Sequence, residues 1–322
     1  MPVPSTAALP RTAALAVALA CSLALTACGS DAEAPAAGAG SAPATVAVQG
    51  VPITANPALA AGLPEAIRKS GVVRVATDVP YPPFEMYAAE GSTRITGIDY
   101  DLGQAVGARL GLRFDFQAQK FDGILPAVQA GKFDAVMSAM TDKKERQKAV
   151  DFVDYINAGP GWLVRKGNPD GIRLVTDVCG KSVSVQSGTN HQKILEARQE
   201  LCKSSGKPPI EVLAFPKDSE AQLALRSGKV SADFLDEVTA VYVSDTADNG
   251  AAFEAVTGRD AVGETSASPI GIGISKDAPG LKEAVQAALQ SLMDDGSYAR
   301  ILQAHHVPGI AIAKATVNGA VD

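Results

Sequence analysis

Arg146 follows Asp142-Lys143-Lys144-Glu145, a run with the spacing of a capping box: an N-cap carboxylate with a glutamate three residues later. That spacing predicts a helix start with Arg146 in its first turn. A guanidinium placed there presents a planar fork that fits a carboxylate, and the helix start adds free N–H groups and positive partial charge. The plainer reading is a surface arginine on a solvated helix. Thr189-Asn190-His191-Gln192 repeats the capping pattern directly after an apparent strand over 182–186. Metal chemistry finds no footing, because His191, His305 and His306 are scattered or adjacent and neither a CxxC nor a His/Cys cluster occurs. No metal and no cofactor are expected.

The elements that must carry these residues follow from pattern. Residues 72–77 are rich in β-branched side chains and read as a strand ending on Asp78. Pro80, Pro82 and Pro83 exclude a helix or a central strand, so the next segment is a rigid loop carrying Tyr81. Leu102, Val106 and Leu110 recur every four residues and predict a helix over 97–110, stopped by Gly111. A strand over 112–116, a helix over 123–130 and a strand over 133–138 come next, an alternation that predicts an α/β fold with largely parallel sheets. The helix–Gly-Lys–strand unit at Gly131-Lys132 returns at Gly228-Lys229, as two similar lobes would require, although Gly-Lys also simply ends many helices. Leu281, Val285, Leu289 and Leu292 share one face of a C-terminal helix interrupted at Asp294-Asp295-Gly296. Residues 309–322 are expected to be a frayed tail.

At the N-terminus, Arg11 precedes an apolar run over 12–27 that is too short to span a bilayer, which identifies a signal-peptide core. The run ends in Leu25-Thr26-Ala27-Cys28, which resembles the bacterial lipobox and makes Cys28 the expected lipidated first residue of the mature chain. The alternative is an ordinary secretory signal with Cys28 incidental; Cys21 is weaker, with alanine three residues before it. Residues 28–62, dominated by Ala, Gly, Pro and Ser, read as a flexible tether with too little apolar surface to order itself. The remainder is long enough for two lobes. With a net charge of −6 and no basic cluster interleaved with aromatics, nucleic acid is not an expected partner. Of the four cysteines only Cys179 and Cys202 lie in the folded body, and export to an oxidising compartment makes a disulfide the expectation, with two buried thiols as the alternative.

Five stretches in order resemble the family 3 solute-binding proteins, the amino-acid receptors of bacterial ABC importers. They are Tyr81-Pro82-Pro83-Phe84, Gly97-Ile98-Asp99-Tyr100-Asp101-Leu102, Phe121-Asp122-Gly123-Ile124-Leu125-Pro126, Met140-Thr141 with Glu145-Arg146, and Asp295-Gly296-Ser297-Tyr298 with Ile301. Tyr100 replaces the family's aliphatic residue, and His306 stands where tryptophan is frequent. The resemblance covers 63–308 and implies an α/β, two-lobed, periplasmic-binding-protein-like (Venus-flytrap) fold with two hinge crossovers, near 157–162 and 266–270, that close on the ligand. Lobe 1 would comprise 63–158 and 269–308, and lobe 2 would comprise 161–267.

The same resemblance implies the site. Arg146 would hold the ligand's α-carboxylate, with Thr141 and the Gly188-Thr189 loop beside it, and Asp236 would hold the α-ammonium from the second lobe. Simple capping is the plainer role for Thr141, and a strand end or helix cap for Asp236. Tyr81 and Phe121 would sandwich the side chain, unless they are core. Ser138 and Gln186 complete the polar wall, while Ala139 lacks the hydroxyl common at its position. In members that bind basic amino acids or glutamine, the residue matching Asp78 faces the ligand's side chain, so a cationic or amide-bearing amino acid is expected. The bland alternative is that Asp78 caps its own loop. The implied partners are an amino-acid ligand, an ABC permease and, through Cys28, the membrane, for a monomeric receptor outside the cytoplasm. No catalytic residue is expected. The competing functions are a dehydratase on the same scaffold, for which Glu85 is the nearest spare acid although nothing in the sequence marks it as tuned, and a ligand-sensing module.

Overall fold

A computed structural model describes residues 44–263 and 267–320. The expected leader, its Cys28 and the first part of the tether lie outside the described residues.

The chain is ordered earlier than a tether to residue 62 allows. β1 (Thr45–Val48) and β2 (Val51–Thr54) form an antiparallel hairpin through Gln49 and Gly50, both at positive φ as a two-residue turn matching strand twist requires. Val48, Val51 and Ile53 alternate onto one face and are buried in the lobe 1 core. This short-range alternation is what a reading by bulk composition averages away.

Lobe 1 contains β3 (Val72–Thr77), the small ladder of β4 (Met86–Tyr87) with β5 (Ile95–Thr96), then β6 (Arg113–Ala118), β7 (Ala135–Val136) and β8 (Val150–Ala158). Lobe 2 contains β9 (Pro160–Arg165), β10 (Ser182–Gln186), β11 (Glu211–Phe215), β12 (Ala232–Asp236) and β13 (Phe253–Val256). The chain returns to lobe 1 as β14 (Ser268–Ser275) and closes on β15 (Ala311–Val317). The two sheets have the orders β15-β8-β14-β7-β3-β6 and β11-β10-β12-β9-β13. They are mixed rather than largely parallel. β3 runs parallel to β6 and β7, and β10 to β11 and β12, but β8, β9 and β14 pair antiparallel because they are the strands that leave and re-enter each lobe. Gly159 alone separates β8 from β9 at the first crossover.

The apolar periodicity performs as its spacing demands. Leu102, Val106 and Leu110 are buried along the helix Ile98–Leu110, which ends on Gly111 at φ 69°. Gly97 at its start has no room for a side chain, since a Cβ there would sit 2.3 Å from the Phe84 carbonyl oxygen. Leu281, Val285, Leu289 and Leu292 are buried along Leu281–Asp294. In lobe 2, Trp162 packs on Phe234 with ring centroids 4.3 Å apart. Cys179 and Cys202 are joined by a disulfide with Cα atoms 5.5 Å apart, tying the lobe 2 core to the helix Gln199–Ser204. By loop-closure entropy a bridge of this span contributes roughly 3 kcal/mol.

Two local expectations need correcting. Residues 311–317 are not a frayed tail: β15 adds an edge strand to β8. The helix expected at Asp142–Glu145 is only the single 3-10 turn Arg146–Lys148, followed at once by β8. Asp142 does not cap it, because its carboxylate accepts from Gln147 Nε2 at 2.8 Å and from the Ala320 N–H at 3.0 Å.

Candidate ligand-binding site

The C-terminal ends of β3, β7, β10 and β12 bring Asp78, Ser138, Gln186 and Asp236 to one cleft between the lobes, the position where open parallel sheets present ligand sites. With the lobes in this arrangement the cavity left in the cleft is about 20 Å³, room for about one water. Asp78, Tyr81, Phe121, Ser138, Thr141, Arg146, Gln186, Thr189 and Asp236 all line it. Glu85, Ala139, Asn190 and His191 complete the wall.

From lobe 1, Asp78 leaves β3 with its backbone N–H bonded to Ser138 Oγ at 2.8 Å, and that hydroxyl donates on to Glu85 Oε1 at 2.7 Å. The Asp78 carboxylate accepts from Gln186 Nε2 of lobe 2. Burial raises its pKa, and the Gln186 bond followed by the Lys217 charge pull it back. Glu85 is fully buried. Desolvation and then the charge of Asp99 push its pKa well above the usual carboxylate value. Asp99 is raised to about 6 by burial, opposed by Tyr155 Oη donating at 2.6 Å and the Ala139 N–H at 2.7 Å. Glu85, which nothing in the sequence marks as tuned, is shifted by its folded environment. Its tuning comes from residues distant in the chain, which no local pattern reveals.

Arg146 is buried, with Nη1 donating to the Thr141 carbonyl at 2.9 Å and Nη2 to the Gly188 carbonyl at 3.1 Å. Its guanidinium carbon lies 5.5 Å from the Phe121 ring centroid, a cation–π contact. Among the described residues no carboxylate lies within ion-pair distance of it. Burial lowers its pKa to about 10, which leaves it cationic at neutral pH. The site owes this charge to the guanidinium alone, since a one-turn helix supplies no dipole of consequence.

From lobe 2, Thr189 caps the helix Asn190–Ala197 as its spacing predicts, its hydroxyl accepting from the Gln192 N–H at 3.2 Å. The Gly188 N–H already donates to Gln192 Oε1 at 2.9 Å, so that group is engaged within the loop. Asp236 ends β12 and makes no side-chain cap to the helix Glu237–Thr246. Its Oδ2 accepts from Tyr81 Oη at 2.8 Å, and its Oδ1 lies 3.6 Å from His191 Nε2. Burial raises Asp236 to about 7 against the Tyr81 bond and the Arg146 charge. Burial, then the Arg146 and Arg198 cations, lower His191 to about 3, so it is neutral. The lobes are closed on each other, since Tyr81–Asp236, Gln186–Asp78, Arg146–Gly188 and Lys217 Nζ to the Val79 carbonyl at 3.0 Å all cross the cleft.

Residues 73–307 match the bacterial extracellular solute-binding proteins, family 3. The chain belongs to this family. An arginine-binding protein of Corynebacterium glutamicum is 32% identical over 249 residues, covering 76% of this chain and 78% of its own. An L-cystine-binding protein of Escherichia coli is 29% identical over 238 residues, 73% of this chain and 83% of its own. Among solved structures, an ancestral arginine-binding protein bound to arginine aligns with a TM-score of 0.63 at 34% identity, covering 72% of this chain and 97% of that one. An ancestral amino acid-binding protein that is a precursor of cyclohexadienyl dehydratase aligns with a TM-score of 0.63 at 33% identity, covering 74% and 97%. The two-lobed α/β fold is thus that of the family 3 binding proteins.

Asn190 and His191 were not singled out as wall residues by sequence. Their one signal was adjacency to the Thr189 cap, which places the first helical turn at the cleft.

Proposed function

We propose that this family 3 protein is the substrate-binding component of an ABC importer and that it captures an amino acid with a cationic side chain. The charge of the cleft carries this reading. Its wall sets Asp78, and Asp236 once a ligand ammonium ionises it, against the single guanidinium of Arg146, with Glu85 raised well above the usual carboxylate range and His191 neutral. A zwitterionic α-amino acid adds no net charge, whereas a basic one brings the missing positive charge. In this reading Arg146 takes the α-carboxylate through its bidentate fork, Asp236 takes the α-ammonium, and Asp78 meets the side-chain cation. Phe121, already under Arg146, flanks the side chain with Tyr81. Relatives named for arginine support the choice, while the cystine-binding relative marks the nearest competitor.

A thermal-shift screen of the amino acids, with polyamines and opines included, tests it. A true ligand at a hundred times its dissociation constant adds about 2.7 kcal/mol. Arginine, lysine, ornithine or histidine should give the largest shifts. A response confined to aliphatic or acidic amino acids overturns the assignment.

The receptor works outside the cytoplasm, as family 3 proteins do, and no helix among the described residues is long and apolar enough to cross a membrane. The membrane connection would be lipid on Cys28, delivering a monomeric receptor to its permease. Cys28→Ala should then abolish fatty-acid labelling, and unchanged labelling rejects the anchor.

One observation favours a dehydratase as the second reading: a buried acid with a raised pKa, Glu85, on the cleft wall. Burial and the neighbouring Asp99 charge in the core account for that shift without a ligand, so it does not by itself direct a proton at a bound hydroxyl. No turnover is the expected outcome with prephenate-like substrates.

A further inference from the structure

Past the end of the family match, residues 311–320 run along β8, the strand that leads to the first crossover. Their contacts converge on two buried acids. Thr316 Oγ1 donates to Asp154 Oδ2 at 2.8 Å, and the Gly319 N–H donates to the same oxygen at 3.1 Å. The Ala320 N–H donates to Asp142 Oδ2 at 3.0 Å. Asn318 completes the strap, with Oδ1 accepting from the Phe152 N–H at 2.8 Å and its own N–H donating to the Phe152 carbonyl at 3.1 Å. Asp142 and Asp154 are each only 1% exposed.

Asp142 is the residue after Thr141, and its other oxygen takes Gln147 Nε2 at 2.8 Å, from the residue after Arg146. One carboxylate therefore holds both ends of the loop that carries Thr141 and Arg146. The Asp142 N–H donates to the Pro269 carbonyl at 2.8 Å, fastening that loop to the returning strand β14 as well. Two buried carboxyl groups need donors, because a buried carboxylate without them is strongly destabilised. The strap supplies donors to both. Asp154, raised to about 6 by its burial and by the neighbouring Asp142 charge despite the Thr316 bond, reports the same crowding.

We propose that the strand-like segment 311–320 is a positioning element of the ligand site, holding Asp142 and through it the 141–146 loop in the geometry that receives the ligand carboxylate. The proposal rests on the reading of Arg146 as the carboxylate clamp.

Gly319 gives a direct handle, since a Cβ there would stand 2.5 Å from Asp154 Oδ2. Gly319→Ala and Thr316→Val are compared with wild type and with Ile312→Ala, a strap residue that makes no bond to either acid. Calorimetry with L-arginine, at a temperature where all are folded by circular dichroism, should show the first two weakened roughly tenfold or more, as loss of a charge-assisted hydrogen bond implies. Ile312→Ala should lower Tm and keep wild-type affinity. Amide hydrogen exchange supplies a ligand-independent readout: residues 141–147 should exchange faster in Thr316→Val and Gly319→Ala. Wild-type binding of arginine with unchanged affinity and unchanged exchange in the variants overturns the positioning role. Failure of wild type to bind arginine overturns the ligand reading instead, and the exchange rates still decide the strap. If Gly319→Ala does not fold, Thr316→Val carries both measurements.

Discussion

Tyr81 Oη and Asp236 bond twice across the cleft: the phenol donates to Oδ2 at 2.8 Å and accepts from the Asp236 N–H at 3.0 Å. A lobe 1 loop thus covers the lobe 2 acid proposed to meet a ligand ammonium. Burial keeps that acid at about 7, well above an exposed aspartate, in spite of the phenol and of Arg146. An ammonium favours the ionised form, so binding should expel a proton from Asp236. Affinity for L-arginine should rise as pH climbs from 5.5 towards 7.5, by up to about tenfold per pH unit, and level off above. Calorimetry in buffers of different ionisation enthalpy measures both the slope and the released proton. A flat profile with no proton release removes Asp236 from the ammonium site.

Arg146→Ala should cost on the order of 3 kcal/mol or more in ligand binding, over a hundredfold, because a buried ligand carboxylate would lose its only guanidinium partner. The Thr141 and Gly188 carbonyls also lose their donor, so lobe closure should weaken in the same variant. Calorimetry gives the affinity, and circular dichroism checks that the fold persists. Near-wild-type affinity would take Arg146 out of the site.

Asp78→Asn tests the side-chain end. The amide can no longer neutralise a cation, and it sets its own NH₂ against the Gln186 amide that now donates to the carboxylate. Basic ligands should be weakened by at least about tenfold, as expected when a buried hydrogen-bonded charge pair loses one partner, while glutamine should be affected less. Equal losses for all ligands would mean that Asp78 supports the loop rather than reading the side chain.

Stability without ligand should fall as pH rises. Glu85, Asp99, Asp218, Asp233 and Asp236 are buried acids whose folded pKa values lie above their unfolded ones, chiefly through desolvation, with Asp99 at about 6 and Asp218 and Asp236 at about 7. Such groups stabilise the fold while protonated and lose that contribution as pH climbs from near 4 through the folded pKa. His191, lowered to about 3, works in the opposite sense and stabilises above about 6.5, but it is one group against several. Scanning calorimetry should find a higher Tm at pH 5.5 than at pH 8. The reverse order would show that these carboxyl groups are not held protonated.

Much was legible from sequence because it is locally encoded. Leu102, Val106 and Leu110 fall on one helical face whatever surrounds them, and Thr189 caps the helix that begins one residue later. The order of the motifs, with each short motif at a strand end or helix start, was enough to select residues that share one cleft wall. The hairpin over 45–54 was missed because composition outweighed a short alternation, and β15 because an edge strand is created by the partner it pairs with. Asp142 has the spacing of a cap, yet its carboxylate answers to a backbone N–H 178 residues away. Glu85 is tuned by Asp99 and Ser138, and Asp236 by burial against Tyr81, 155 residues back in the chain. Chain neighbours determine local geometry and therefore which side chains strand ends and helix starts can present. Desolvation and charge depend on whatever folds against them, so protonation states, cross-lobe bonds and the loop's anchorage were decided only by the tertiary structure.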